Sequence, residues 1–230
     1  ESGYEPFAHS PAGAAGLWQI MPNTAISSGL KMNWWYDGRQ DIVESTNAAL
    51  DYLVRMKGGL GSWPLAAAAY NEGEGAVLSA IDMNKRKARP TNYWSLSLPK
   101  ETREYMPKLL ALAMIVKNPG KYGITLPKLS TASNITTRLL HTQIDRAQVA
   151  ELTGISEEWV HRLNPGMLRW ATNPKASYNL VMPANKFARF KINLARLGDK
   201  KRLLWAYYKI QAGDTLMSLA RRYHSSVSEL

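Results

Sequence analysis

The chain has no cysteine. That excludes a disulfide framework, thiolate metal ligands and a thiol nucleophile, and leaves the redox compartment open. Its four histidines, His9, His141, His161 and His224, stand far apart and form neither an HxxxH nor an HExxH spacing, so neither a metal site nor a cofactor is expected. No apolar run approaches the ~18 residues needed to cross a bilayer, and no charged segment followed by an apolar one opens the chain as in a secretory leader. Zinc-finger spacing, an RNP-like aromatic string and a long Lys/Arg block are missing too, which argues against nucleic acid. The sequence reads as a soluble piece trimmed at both ends, since it starts on a motif residue and stops at Leu230 in mid-pattern. Membrane attachment is expected only through a lipid anchor upstream of Glu1.

What is present is a basic chain of 230 residues, 45% hydrophobic, with a formal net charge of +11. That length can bury a full core and fits one main domain with small modules. The charge is uneven: residues 1–128 hold 14 basic and 11 acidic groups, residues 129–230 hold 15 and 7, so the second part carries +8 of the +11. Such a bias favours an anionic partner: nucleic acid, an acidic membrane surface or a polyanionic wall polymer.

Residues 1–128 read as helices punctuated by Gly and Pro. Ser45 is expected to cap a helix with Ala49, Tyr52, Leu53 and Met56 on its apolar side, stopped at Gly58-Gly59. Ser62 and Pro64 start a short apolar helix, Leu65 to Tyr70. Glu101 to Lys117 gives the longest, with Tyr105, Leu109, Leu112, Ala113 and Val116 in one stripe and Pro119-Gly120 as its stop. Near Leu126-Pro127-Lys128 the composition shifts. Strand-like alternation from Ile135 to Gln143, helices Ala147–Leu152 and Trp159–Leu163, and an apolar run Tyr178–Met182 follow, giving the order strand, helix, helix, strand. The pattern restarts with a strand-like Trp205–Gln211, a capped helix from Gly213-Asp214-Thr215-Leu216 through Tyr223, and the start of another helix at Ser226.

A carboxyl group at Glu1 is followed by amides, hydroxyls and aromatics suited to a sugar: Ser2, Gln19, Tyr70, Asn71 and Tyr105, with Trp18, Trp34, Trp35 and Trp63 as candidate stacking surfaces. Glycosidic cleavage needs one group to protonate a leaving oxygen while others fix the ring. Gly13 and Gly16 suit a close backbone approach or a tight turn. Glu5, Asp37, Asp41, Glu72, Glu74 and Glu101 are second carboxylates by number only, and read more simply as surface or helix-end charges.

Glu1-Ser2-Gly3-Tyr4-Glu5-Pro6, Gly16-Leu17-Trp18-Gln19-Ile20-Met21-Pro22 with Thr24-Ala25, Ala69-Tyr70-Asn71 with Gly73, and Glu101-Thr102-Arg103-Glu104-Tyr105 resemble, in order, the four motifs of the family-1 lytic transglycosylases. The Trp at position 18 fits the D-type branch, whose catalytic domain is followed by LysM modules. The tail, Tyr208 to Leu216 with Leu219-Ala220 and Tyr223, resembles the start of such a module.

The resemblance implies an α+β chain: a mainly α-helical, lysozyme-like transglycosylase (SLT) domain over 1–128, a degenerate βααβ LysM-like or linker module over 129–200, and a truncated LysM module over 205–230. It implies cleavage of the β-1,4 bond between N-acetylmuramic acid and N-acetylglucosamine in peptidoglycan, with a 1,6-anhydromuramyl product and no cofactor. Glu1 matches the single acid/base; Ser2, Gln19, Tyr70, Asn71 and Tyr105 match substrate contacts; Gly16, Trp18 and Met21 match the pocket wall; and Gly213, Asp214, Thr215 and Leu216 match the glycan-binding module. Glu101 matches a structural position. The partner implied is a peptidoglycan glycan strand, met by a monomer in the cell envelope, in the periplasm of a Gram-negative bacterium, with attachment to the outer membrane through the upstream anchor. Lysozyme-like hydrolysis of the same bond and a non-catalytic wall-binding role remain as alternatives. An amine on Glu1 itself places a positive charge beside the carboxyl and works against proton donation, so the piece is expected to be weakly active and its longer parent active.

Overall fold

The computed structural model describes residues 1–127, 133–197, 208–222 and 227. It is mostly helical, with one two-stranded sheet and long irregular connections. No helix among the described residues is long and apolar enough to cross a membrane.

The first part holds helices α1 (Pro22–Ser27), α2 (Ile42–Leu60), α3 (Trp63–Glu72), α4 (Glu74–Arg86) and α5 (Lys100–Lys117). Helix α3 is its centre. Leu65 to Ala69 are all buried, four of the five being alanine, and side chains this small let α2, α4 and α5 pack closely around one short rod. Met56, Val77, Ile81, Tyr93, Leu96, Leu98 and Met106 complete that core. Helix α2 begins earlier than the sequence suggested: Asp41 is its cap, accepting from the backbone N–H of Val43 and Glu44 at 3.0 and 2.9 Å, a contribution of about 1 kcal/mol. Ser45 lies inside the helix with its hydroxyl bonded back to the Asp41 carbonyl, and the helix runs through Gly58 and Gly59 to a left-handed Gly61.

Helix α5 also departs from expectation. Its buried residues are Thr102 and Met106, on the first turns against α3, whereas Leu109, Leu112 and Val116 of the expected stripe are exposed because the helix runs on past α3. Its start is fixed by the Tyr93 hydroxyl, which donates to the Thr102 carbonyl at 2.5 Å, and by the Thr102 hydroxyl, which donates to Glu72 Oε2 at 3.0 Å.

The second part is β1 (Ile135–Leu140), α6 (Arg146–Thr153), α7 (Glu157–Leu163), β2 (Tyr178–Pro183) and α8 (Phe187–Arg196), the strands antiparallel with Leu140 opposite Tyr178 and Ile135 opposite Pro183. Leu140, Ile144, Val149, Leu152, Val160, Leu180, Met182 and Phe190 form its core. Asn164, wholly buried, joins α7 to β2: its amide donates to the carbonyls of Val160 and Val181 at 2.9 and 2.8 Å and accepts from the Val181 N–H and the Tyr178 hydroxyl at 2.8 and 3.2 Å. Helix α8, whose Phe187, Phe190 and Leu194 share one face, is an element the sequence reading lacked.

Two backbone bonds fasten the two parts together. The Asp37 N–H donates to Gly166 O and the Leu168 N–H to Trp35 O, each at 3.0 Å. Tyr36 stands edge-on to Tyr178 with centroids 5.8 Å apart, and a Cβ on Gly166 would lie 3.0 Å from the Asp37 carbonyl oxygen, a contact tighter than most, so glycine suits this approach. In the last part, among the described residues 208–222 and 227, the helix is α9 (Leu216–Arg222). Residues 208–211 form no strand, and the remainder of the expected Trp205 strand and the helix at Ser226 fall outside the described residues.

Candidate active site

The loop from Ala8 to Ile20 is folded on itself by short-range bonds. Gly16 N–H donates to Ala8 O at 2.9 Å, and Ala15 exchanges backbone bonds with Ile20 at 3.1 and 3.2 Å. Three residues there have positive φ, Gly13 at 91°, Gly16 at 79° and Gln19 at 47°. Gly16 is glycine for two reasons: its φ, and a Cβ that would sit 2.0 Å from Arg39 O. Its bare face is therefore turned to the protein's own backbone. Gln19 offsets its unusual conformation by donating from Nε2 to Ala8 O and Gly16 O, at 3.1 and 2.8 Å. That spends its donors inside the loop and leaves Oε1 as the acceptor a ligand could meet.

Around this loop the structure brings together residues from three distant segments. The Ser2 hydroxyl donates to Leu17 O at 2.9 Å, tying the Glu1 segment to the loop. At the end of α3, the Tyr70 hydroxyl donates to Trp18 O at 2.7 Å, and its ring lies edge-on to both Trp18 and Tyr52. The Trp18 indole donates in turn to Thr46 on α2 at 2.8 Å. From α5, the Tyr105 hydroxyl donates to Glu1 Oε1. Glu1 itself is solvent-exposed.

Burial raises the pKa of both Tyr70 and Tyr105, and the Glu1 charge raises each further, with Tyr105 also held up by its bond to Glu1. Both phenols remain proton donors at any physiological pH. The chemical result is a carboxyl with one oxygen occupied by a phenol O–H and the other open, beside a wall of indole and phenol. Such a group can carry a proton on its open oxygen and take one back there.

Four of the candidate second acids are engaged elsewhere. Glu5 accepts from the Phe7 N–H at 3.2 Å and lies 3.9 Å from Arg162. Glu72 is bonded to Thr102, Asp37 to Arg39 at 2.7 Å, and Asp41 caps α2 while accepting from Tyr36. Glu101 is exposed, without a side-chain bond among the described residues, and the bracing expected of it is done by Thr102, which the sequence reading passed over. A Thr between two charged neighbours gives no local sign of such a role; only the packing of α5 on α3 shows it.

Asn71 follows Tyr70 in the last turn of α3, half-exposed and with no side-chain bond among the described residues, so its amide is available to a ligand. Met21 is exposed where it precedes α1. Trp34, Trp35 and Trp63 do not join the Glu1 cluster: Trp35 packs on Trp170, Trp34 lies under the Arg169 guanidinium, and Trp63 opens α3 on the surface. In the last part, Gly213 has φ 94°, Asp214 Oδ2 accepts from the Gln211 N–H and the Tyr208 hydroxyl at 2.7 and 2.9 Å, and Thr215 and Ser218 exchange reciprocal capping bonds at the start of α9. Those contacts, the backbone bond first, hold the Asp214 carboxyl below the usual range, and Leu216 is exposed beside them.

Comparison with known proteins gives three domain matches along the chain. Residues 1–92 match the Transglycosylase SLT domain, residues 134–199 the LysM-like domain of lytic transglycosylase MltD, and residues 208–230 the LysM domain. The chain is 36% identical over 241 aligned residues to membrane-bound lytic murein transglycosylase D of Escherichia coli strain K12, an alignment covering 100% of this chain and 53% of that protein. The same figures hold for the protein of that name in Escherichia coli O6:H1. The chain spans about half the length of the curated relatives it matches.

Proposed function

This chain carries an SLT domain followed by LysM-like domains, and from that premise we propose that it is a peptidoglycan lytic transglycosylase acting in the cell envelope, with Glu1 as its single acid and base. The observation that carries the reading is the hydrogen bond from Tyr105 to Glu1, made across the length of the first part beside Tyr70 and Trp18.

In the first step the protonated Glu1 gives its proton to the bridging oxygen between N-acetylmuramic acid and N-acetylglucosamine. The muramyl C1–O bond breaks, and the acetylglucosamine leaves with a new hydroxyl. The substrate's acetamido carbonyl shields the cation that develops at C1. In the second step the muramyl O6 attacks C1 and its proton passes to the Glu1 carboxylate, which restores the acid and closes a 1,6-anhydro ring without water. Tyr105, a donor throughout, holds the carboxyl's orientation and stabilises its charged form between steps. Asn71 and the Oε1 of Gln19 meet the sugar's polar groups, Ser2 steadies the Glu1 segment, and Trp18 and Met21 flank the bound ring. Gly213 to Leu216 hold the start of a module that retains the strand, in a periplasmic, outer-membrane-attached setting.

Digestion of purified murein followed by mass analysis tests this. Anhydro-muropeptides are expected, with turnover reduced about 10²–10⁴-fold in Glu1→Gln. Products carrying an added water would establish hydrolysis instead, and unchanged digestion by Glu1→Gln would remove Glu1 from catalysis.

A further inference from the structure

A cavity of about 190 Å³ lies where the first two parts of the chain meet, and it shares no lining residue with the Glu1 cluster. One wall comes from the segment before α2, with Lys31, Asn33, Trp35 and Tyr36, and from Glu44 in the first turn of α2; the other is the α7–β2 connection, with Asn173 at its rim. The walls are held in place by the backbone bonds from Asp37 to Gly166 and from Leu168 to Trp35, by the Tyr36–Tyr178 contact, and by Ile144 N–H donating to Thr172 Oγ1 at 3.0 Å. The site is thus formed before any ligand arrives, which lowers the ordering cost of binding.

Its chemistry selects a ligand class. One cation, Lys31, and one anion, Glu44, balance each other, so neither a phosphate nor a polyacid is favoured. Asn33 accepts the Trp35 and Tyr36 N–H groups through Oδ1, and Asn173 accepts the Lys175 N–H through its own, so each side-chain amide has its NH2 to offer. The half-exposed Trp35 indole adds a flat apolar face. Paired polar donors beside an aromatic face, with no net charge, suit a neutral sugar ring with an amide substituent. The volume falls below the roughly 300–1,000 Å³ of sites for drug-sized ligands, so it admits one ring and leaves the rest of a strand outside.

We propose that this junction cavity is a second saccharide subsite that takes one N-acetylated hexosamine ring, separate from the cleft at Glu1. It rests on the glycan-directed function proposed above. The probe is tetra-N-acetylchitotetraose, titrated into isotopically labelled Glu1→Gln protein while the Trp35 indole N–H is followed by NMR, its signal assigned by loss in Trp35→Phe. A saturable shift of that signal is expected, with affinity about 3–10-fold weaker in Asn173→Ala, which removes a rim amide. No shift at Trp35 at saturating probe, or a shift that Asn173→Ala and Lys31→Ala both leave unchanged, overturns the proposal. Binding confined to the LysM segment would leave Trp35 silent and overturn it equally. Murein digestion by the unsubstituted chain is read in parallel. Digestion with a silent Trp35 removes the subsite alone, whereas a responding Trp35 with digestion no faster than that of Glu1→Gln removes the catalytic reading and keeps the subsite.

Discussion

Replacing Gly16 and Gly13 separately by alanine distinguishes a glycine needed for backbone shape from one needed for space. Both have positive φ, 79° and 91°, so each alanine meets the left-handed conformation, at about 1–2 kcal/mol. They differ in surroundings. A Cβ on Gly13 finds nothing within 4 Å, while one on Gly16 would sit 2.0 Å from Arg39 O, 2.8 Å from Arg39 C and 3.0 Å from Gln40 Cα. These are backbone atoms, and Arg39 is anchored by its ion pair to Asp37 and by a 2.7 Å bond from Nη1 to Gly13 O, so the strand cannot simply swing away. Overpacking of this kind costs about 1–3 kcal/mol. Gly16→Ala should therefore lose about 2–5 kcal/mol in urea denaturation and Gly13→Ala about 1–2 kcal/mol. Because the loop carrying Trp18 and Gln19 must shift to relieve the clash, murein digestion should fall in Gly16→Ala and persist in Gly13→Ala. Equal losses of stability in the two variants would refute the steric account.

Tyr105→Phe removes the phenol donor from Glu1 and should lower kcat about 10–100-fold, the value of one hydrogen bond to a charged group, with KM little changed; steady-state turnover of a soluble glycan reads it. Asn164→Ala strands the Val181 N–H and the Tyr178 hydroxyl in the second core and should cost about 2–4 kcal/mol in urea unfolding. Burial raises the Asp41 carboxyl above its ordinary 3.8, so the folded state holds its proton longer than the unfolded chain does. Stability from this group is full below pH 3.8 and is lost as the pH climbs through the raised value. Asp41→Asn keeps a capping acceptor without the charge, and unfolding measured across that window should show the variant gaining on the unsubstituted protein as pH rises; a constant difference would refute the assignment.

Much of the architecture could be read from residue order, because its signals are local. The strand, helix, helix, strand order between Ile135 and Pro183 follows from strand-like alternation, two short helical patterns and the apolar run at Tyr178–Met182, and the structure adds caps at Asp145 and Ser156. What escaped depends on neighbours distant in sequence. Helix α4 starts at Gly73 with no side-chain cap and with Gly75 in its first turn, features that read as a loop until α3 packs against it. Ser45 looked like a cap by type, yet Asp41, four residues earlier, takes the free N–H groups. At the site, the residue types were legible and their duties were not. Gln19 and Ser2 direct donors to the protein's own carbonyls, and the duty expected of Glu101 falls to Thr102, since hydrogen-bond direction depends on a tertiary approach that no spacing encodes.

The paired backbone bonds at Trp35–Asp37 and Gly166–Leu168 replace what could have been a swivel by a seam. On the glycan-directed reading proposed above, a polymer gripped on one side of that seam is offered to the other at a set offset, as on a measuring rule. Tension along it is borne as shear between two short strands of peptide, not as the bending of a tether.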